Sequence, residues 1–172
     1  LSSRRGVLKT LFSELNERFV IKKQGFKGPC IWLHAASVGE VKSVTNIAGA
    51  LKKRYNLPIL ITTLTKAGQR TAKNIQEFDY ATLAPIDFYL SVKRFIKFYK
   101  PKMLIIVEAD LWPNMIYAST NAGVKVGIIN GRISERSAKR YKILKLDEIE
   151  YTRESDNKKW HFYNIIAKKE VI

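Results

Sequence analysis

Three short stretches hold residue types suited to chemistry, and each directly follows an apolar run. Ser37-Val38-Gly39-Glu40 places a hydroxyl, a residue without a side chain and a carboxylate within four positions. At a strand end, such an arrangement lets backbone N–H groups and a small glycine meet a ligand closely, with Glu40 in the first turn of the following helix. The same spacing also fits a purely structural capping box, in which Ser37 caps the helix and Glu40 answers three residues later. In Glu108-Ala109-Asp110-Leu111-Trp112-Pro113-Asn114, two carboxylates end the most apolar run, Leu104 to Val107. A carboxylate there is costly unless it is used or paired. Pro113 suits the first turn of a helix, and Trp112 either shapes a crevice wall or covers the core. In Asn130-Gly131-Arg132-Ile133-Ser134-Glu135-Arg136-Ser137, the arginines offer two-pronged binding of a phosphate or sugar carboxylate, or are solvated residues at a helix start. His34 lies within an apolar run and reads as a hydrogen-bonded interior residue rather than a ligand. No Cys and His cluster suggests a metal. No Walker-type loop or Gly-x-Gly-x-x-Gly fingerprint follows a strand, which removes the usual support for nucleotide-hydrolase and dehydrogenase readings.

The positions of these stretches are set by an alternation that begins at residue 31. Apolar runs at Ile31 to Ala36, Pro58 to Leu64, Tyr80 to Ala84, Met103 to Val107 and Val124 to Ile129 are each followed by a helical pattern. Val41, Val44, Ile47, Ala48 and Leu51 make one helical stripe; Leu90, Val92, Phe95, Ile96 and Tyr99 make another; Met115, Ile116 and Ala118 make a shorter third. Strands that alternate with helices predict an open parallel α/β sheet with helices on both faces, and near-continuous apolar strands fit burial on both sides. Ligands of such sheets sit beyond the carboxyl ends of the strands, where all three stretches fall.

Two flanking segments stand apart. Arg4 to Lys23 sets Val7, Leu8, Leu11, Phe12, Leu15 and Phe19 at helical spacing among basic residues. It predicts a basic amphipathic helix over residues 1–24 that packs on the domain, lies on an anionic membrane surface, or does both. Residues 25–144 form the α/β domain. Residues 145–172 mix charges with scattered aromatics and read as a divergent tail, either a docked terminal helix or sequence with no folded partner.

With 31 Lys and Arg against 15 Asp and Glu, the formal charge of +16 asks for an anionic partner, whether nucleic acid, phospholipid or phosphorylated substrate. A nucleic-acid partner has only that charge behind it, since no familiar recognition motif appears. A single cysteine, Cys30, excludes an internal disulfide and fits a reducing compartment. No apolar run approaches the roughly 18 residues of a bilayer span, and a start at Leu1 rather than Met leaves room for an upstream start or anchor.

Ile31-Trp32-Leu33-His34-Ala35-Ala36-Ser37-Val38-Gly39-Glu40 and the two later stretches together resemble, in order and spacing, the 3-deoxy-D-manno-octulosonic acid (Kdo) transferase family. Thr62-Thr63 and the run from Pro101 to Val107 agree with it as well, so the resemblance covers roughly residues 25 to 143. It implies a two-domain, GT-B-type glycosyltransferase built from Rossmann-like halves, of which this chain is the amino-terminal, acceptor-binding half without the donor-binding domain. Glu40 is then the general base toward the acceptor hydroxyl and Glu108 the second carboxylate, stabilising the transition state. Ser37, Gly39, Trp112 and Arg132 fall among the substrate-binding positions. CMP-Kdo is the donor substrate, and no cofactor or metal is implied. The implied partners are a lipid A precursor, an anionic membrane surface and a separate donor-binding half, with no nucleic acid. The implied location is the cytoplasmic face of the bacterial inner membrane, peripherally held. Basic faces such as Lys93, Arg94, Lys97, Lys100 and Lys102 suit lipid phosphates, or are a solvated helix face. Asp110 and Gly131 depart from the family's usual residues, and the tail departs from its continuation. A truncated or split gene product has this form, active with a donor-binding half or surviving as a silent lipid-binding remnant.

Overall fold

Each apolar run becomes a strand. β1 is Cys30–His34, β2 Ile59–Thr63, β3 Tyr80–Leu83, β4 Pro101–Val107 and β5 Lys125–Arg132. A computed structural model describes residues 11–20, 28–107, 112–132 and 162–167. The strands lie in the order β3-β2-β1-β4-β5, all parallel, and a sixth, β6 (Phe162–Ala167), pairs antiparallel with β5 at the edge. β6 comes from the stretch read as a tail, where neither a strand nor a helix was evident from the residues. The helices are α1 (residues 11–18), α2 (Val38–Ser43), α3 (Thr45–Tyr55), α4 (Lys66–Lys73), α5 (Tyr89–Tyr99) and α6 (Pro113–Asn121).

The near-continuous apolar strands divide by parity between two cores. Trp32, Leu60, Leu104, Ile106 and Val126 pack with Phe95 and Ile96 of α5 and Met115 of α6, and the Trp32 and Phe95 ring centroids are 4.6 Å apart. Ile31, Leu33, Ile61, Ile105 and Val107 pack with Val41 of α2, Ala48 of α3, Val44 between those two helices, and Ala72 of α4. Successive strand side chains point to opposite faces, so every residue of β1 is buried. Helices on both faces of a parallel sheet are therefore the observed architecture.

Two elements differ from the sequence pattern. The stripe from Val41 to Leu51 is two helices, broken at Val44, where the Ser43 hydroxyl donates to Glu40 O at 2.8 Å and the Thr45 hydroxyl to Val41 O at 3.2 Å. Such hydroxyls compete for helix carbonyls and bend or interrupt the ladder. The second departure is at α1, which docks by its polar residues while Leu11, Phe12 and Leu15 stay 51%, 65% and 43% exposed. Arg18 donates to Leu64 O at 2.6 Å and Ala84 O at 3.1 Å, and Glu17 accepts from Leu83 N at 3.1 Å and the Thr82 hydroxyl at 2.9 Å. Strand ends present unpaired backbone groups that an apolar stripe cannot satisfy and a charged pair can. Burial alone would raise the Glu17 pKa, but the Lys66 ammonium at 2.6 Å, Thr82 and the Leu83 N–H outweigh it and hold the carboxyl below its ordinary value.

A second long-range tie fixes α6. Asp87, in the loop after β3, accepts from Met115 N at 2.8 Å and Asn114 N at 3.3 Å, supplying a cap that Trp112, the N-cap residue, does not. Asp87→Ala should cost about 1–2 kcal/mol, and Asp87→Asn clearly less. Urea unfolding of both variants checks this, and equal losses would show that the cap is not what Asp87 contributes.

Candidate functional site at the switch point

In the order β3-β2-β1-β4-β5, the chain builds outward from β1 in one direction and then restarts on its other side, so the topological switch lies between β1 and β4. β1 is followed by α2, packed on one face of the sheet, and β4 by α6, packed on the other, which leaves a crevice at their carboxyl ends. Because α1 is tied to the carboxyl ends of β2 and β3 through Glu17 and Arg18, the crevice that remains is the half over β1 and β4.

Glu40 stands there. Ala35 N still donates to Thr62 O at 2.9 Å, so the chain leaves the sheet only after Ala36 and turns at Ser37, whose extended backbone caps α2. Glu40 N donates to the Ser37 hydroxyl at 3.3 Å, and that hydroxyl donates to Glu40 Oε1 at 2.7 Å. Glu40 Oε2 accepts from Ala36 N at 2.7 Å, one residue before the usual capping-box donor. Each carboxylate oxygen thus has one protein donor, and an ionised carboxylate offers about four acceptor sites in all. Sites remain for an incoming hydroxyl, and the half-buried group is fixed in direction before any ligand arrives. A Cβ on Gly39 would meet only Ser37 Oγ, at 3.8 Å, so the fold itself places no demand for glycine at the rim of this turn.

On the β4 side, α6 begins at Pro113 with Trp112 half-buried before it. The Asn114 and Met115 N–H groups in the first turn of α6 are taken by Asp87, and the carboxylate of Glu40 lies at the start of α2. Both helix starts at the switch point thus already hold an anion, which suits a neutral hydroxyl ligand better than a bare phosphate. Glu108 follows Val107 directly and lies outside the described residues. Arg132 is at the carboxyl end of β5, its backbone paired with Phe162 of β6. The residues brought together are therefore Ser37, Gly39 and Glu40 on one side, and Trp112 with Asp87 and Asn114 on the other.

His34, read from sequence as an interior residue, joins the two sides. Its Nδ1 is 2.9 Å from the Thr62 hydroxyl, which also accepts from Trp32 Nε1 at 2.8 Å. The His34 ring meets Trp112 edge to face, with centroids 5.3 Å apart. Among the described residues, His34 Nε2 and Trp112 Nε1 are both buried without a hydrogen-bond partner. Leaving such groups unpaired costs about 1–3 kcal/mol each. Burial pushes the His34 pKa down to about 4, against a smaller upward pull from Thr62, so the imidazole is neutral at pH 7. The contacts made by Asp87, Thr62 and the Glu17 to Arg18 pair carry no local sequence signal, because their partners lie 27 or more residues away. Among the described residues, no group of three or more His, Cys, Asp or Glu could hold a metal ion, and no helix is long and apolar enough to cross a membrane.

The family model described as 3-deoxy-D-manno-octulosonic-acid transferase (kdotransferase) matches residues 13–152. The 3-deoxy-D-manno-octulosonic acid transferase of Haemophilus influenzae is 39% identical over 113 residues, covering 64% of this chain and 26% of that protein. Its counterpart in Chlamydia trachomatis serovar D is 33% identical over 133 residues, covering 74% of this chain and 31% of that protein. The chain thus spans under a third of the length of these relatives. The crystal structure of DszA carbon methyltransferase superposes with a TM-score of 0.50 at 13% identity, covering 93% of this chain and 51% of that one, which is a likeness of fold alone.

The His34 shift has a consequence for stability. Between pH 6.5 and about 4 the unfolded chain takes up a proton that the buried imidazole refuses, so stability is complete above 6.5 and falls as the pH drops through this window. The expected loss is roughly 3 kcal/mol by pH 4. Glu17, with its pKa depressed, contributes above 4.5 and loses that contribution only below it. Urea unfolding from pH 7 to 4.5 should show a slope that His34→Asn flattens; parallel slopes would remove His34 as the source.

Proposed function

We propose, since this chain belongs to the 3-deoxy-D-manno-octulosonic-acid transferase family, that it forms the acceptor side of a glycosyltransferase moving Kdo from CMP-Kdo to a lipid A precursor such as lipid IVA in lipopolysaccharide synthesis. The observation that carries the reading is the Glu40 carboxylate, oriented by Ala36 N and Ser37 at the open half of the crevice. In this reading Glu40 takes the proton from the acceptor hydroxyl as that oxygen bonds to the anomeric carbon of Kdo, and the bond from that carbon to the CMP oxygen breaks. The departing CMP carries the electron pair away. Ser37 orients the base, Gly39 leaves room for the sugar, Trp112 walls the crevice and Arg132 meets an acidic group of the substrates. Glu108 stabilises charge in the transition state. A donor-binding half brings CMP-Kdo to the crevice.

The anionic membrane that holds such an acceptor is the proposed partner surface. The exposed apolar residues of α1 and the chain's +16 charge support this, since buried apolar side chains and Lys or Arg near lipid headgroups both add affinity. Lys93, Arg94, Lys97, Lys100 and Lys102 are exposed too, but they follow α5 toward the opposite, amino edge of the sheet, so α1 is the better candidate for contact near the site.

Two measurements test this reading. Glu40→Gln keeps the polar reach of the cap and should fold as before, while Kdo transfer to lipid IVA, measured with a donor-binding half present, drops by about 100- to 10,000-fold. Retention of most activity would remove Glu40 as the base. The double substitution Phe12→Glu, Leu15→Glu should reduce sedimentation with phosphatidylglycerol-rich vesicles several-fold, and unchanged binding would place the membrane contact elsewhere.

A further inference from the structure

The pair at the switch point, unpartnered among the described residues, deepens the acceptor reading. Trp112 Nε1–H can only donate, whereas neutral His34 offers at Nε2 either a proton or a lone pair, depending on its tautomer. A hydroxyl-type oxygen both donates and accepts, so one such oxygen satisfies the indole and either form of the imidazole. A carboxylate serves only one tautomer, and an ammonium cannot take the indole proton. The site is built rather than incidental. His34 is 1% exposed and its Nδ1 is held by Thr62, which in turn is held by Trp32, so Nε2 has a fixed direction. Trp112 is set against the imidazole edge and directly precedes α6. His34 ends β1 and Ser37 begins the cap that orients Glu40, so the pair belongs to the same strand end as the proposed base.

We propose that His34 Nε2 and Trp112 Nε1 form a binding site for one hydroxyl-type oxygen, occupied by an enclosed water in the free protein and by an acceptor sugar hydroxyl when the acceptor binds. This pair positions the acceptor; the proton transfer is left to Glu40. The second half of the proposal rests on the acceptor reading, and the first does not.

NMR of the full chain labelled with 15N separates the two sources. The chain has three tryptophans, and the indole signal missing from Trp112→Phe assigns the Trp112 N–H. In the free protein, that proton should show a hydrogen-bonded shift and a cross-peak to a bound water. Adding lipid IVA in detergent micelles should remove the water cross-peak and move the indole signal. Trp112→Phe, which keeps an aromatic ring but loses the N–H, should weaken lipid IVA binding by about 5- to 10-fold, as loss of one hydrogen bond does. His34→Gln, which returns an amide near Nε2, should retain more affinity than His34→Leu. A free, unbonded indole shift in both states overturns the site. Persistence of the water cross-peak with lipid IVA bound overturns the acceptor hydroxyl as occupant. Failure of the unsubstituted chain to bind lipid IVA counts instead against the acceptor reading, with the free-protein spectrum still deciding the site.

Discussion

Pairing of β1 with β2 on one side and β4 on the other is the constraint on which the rest of the structure depends. A strand with parallel neighbours on both sides and helices over both faces has no polar side, and all five of its residues are buried. The reversal of strand order around β1 also opens the crevice, because the chain leaves β1 and β4 toward different helices. Core and site therefore share a strand. Trp32 anchors one core against Phe95, and two residues later His34 packs against Trp112 at the end of the strand, with Thr62 of the neighbouring strand hydrogen-bonded to both.

The crevice is narrowed from one side. Glu17 and Arg18 satisfy the backbone groups at the ends of β2 and β3, and in doing so they place α1 where part of a ligand would otherwise lie. The same helix keeps its apolar residues outward. One element thus sets how much of the sheet edge stays open and presents an apolar surface beside it.

Charge is distributed unevenly between the chain and this site. Overall the protein is strongly basic, yet the described groups at the switch point are carboxylates and neutral donors: Glu40, Asp87, His34 and Trp112. Long-range attraction to an anionic partner and short-range handling of a hydroxyl are different tasks, and they fall on different parts of the molecule. At α6 the Asp87 carboxylate also spends the Asn114 and Met115 N–H donors that would otherwise favour a phosphate there.

The sequence by itself determined the strands, the parallel sheet and the Ser37 to Glu40 cap, because these depend on side-chain parity, apolar runs and spacings of three or four residues. Two strands, β2 and β3, both begin and end within one residue of the runs that announced them. The tertiary structure alone decided what joins residues distant in the chain. It placed Asp87 on α6, Glu17 and Arg18 on strand ends, Thr62 between Trp32 and His34, and β6 along β5. Helical spacing marked the apolar stripe of α1, but that stripe could not reveal that two charged neighbours would make the contact instead. Long-range hydrogen bonds leave no periodicity to read: each needs only one suitable atom at each end, and the fold chooses which two atoms meet.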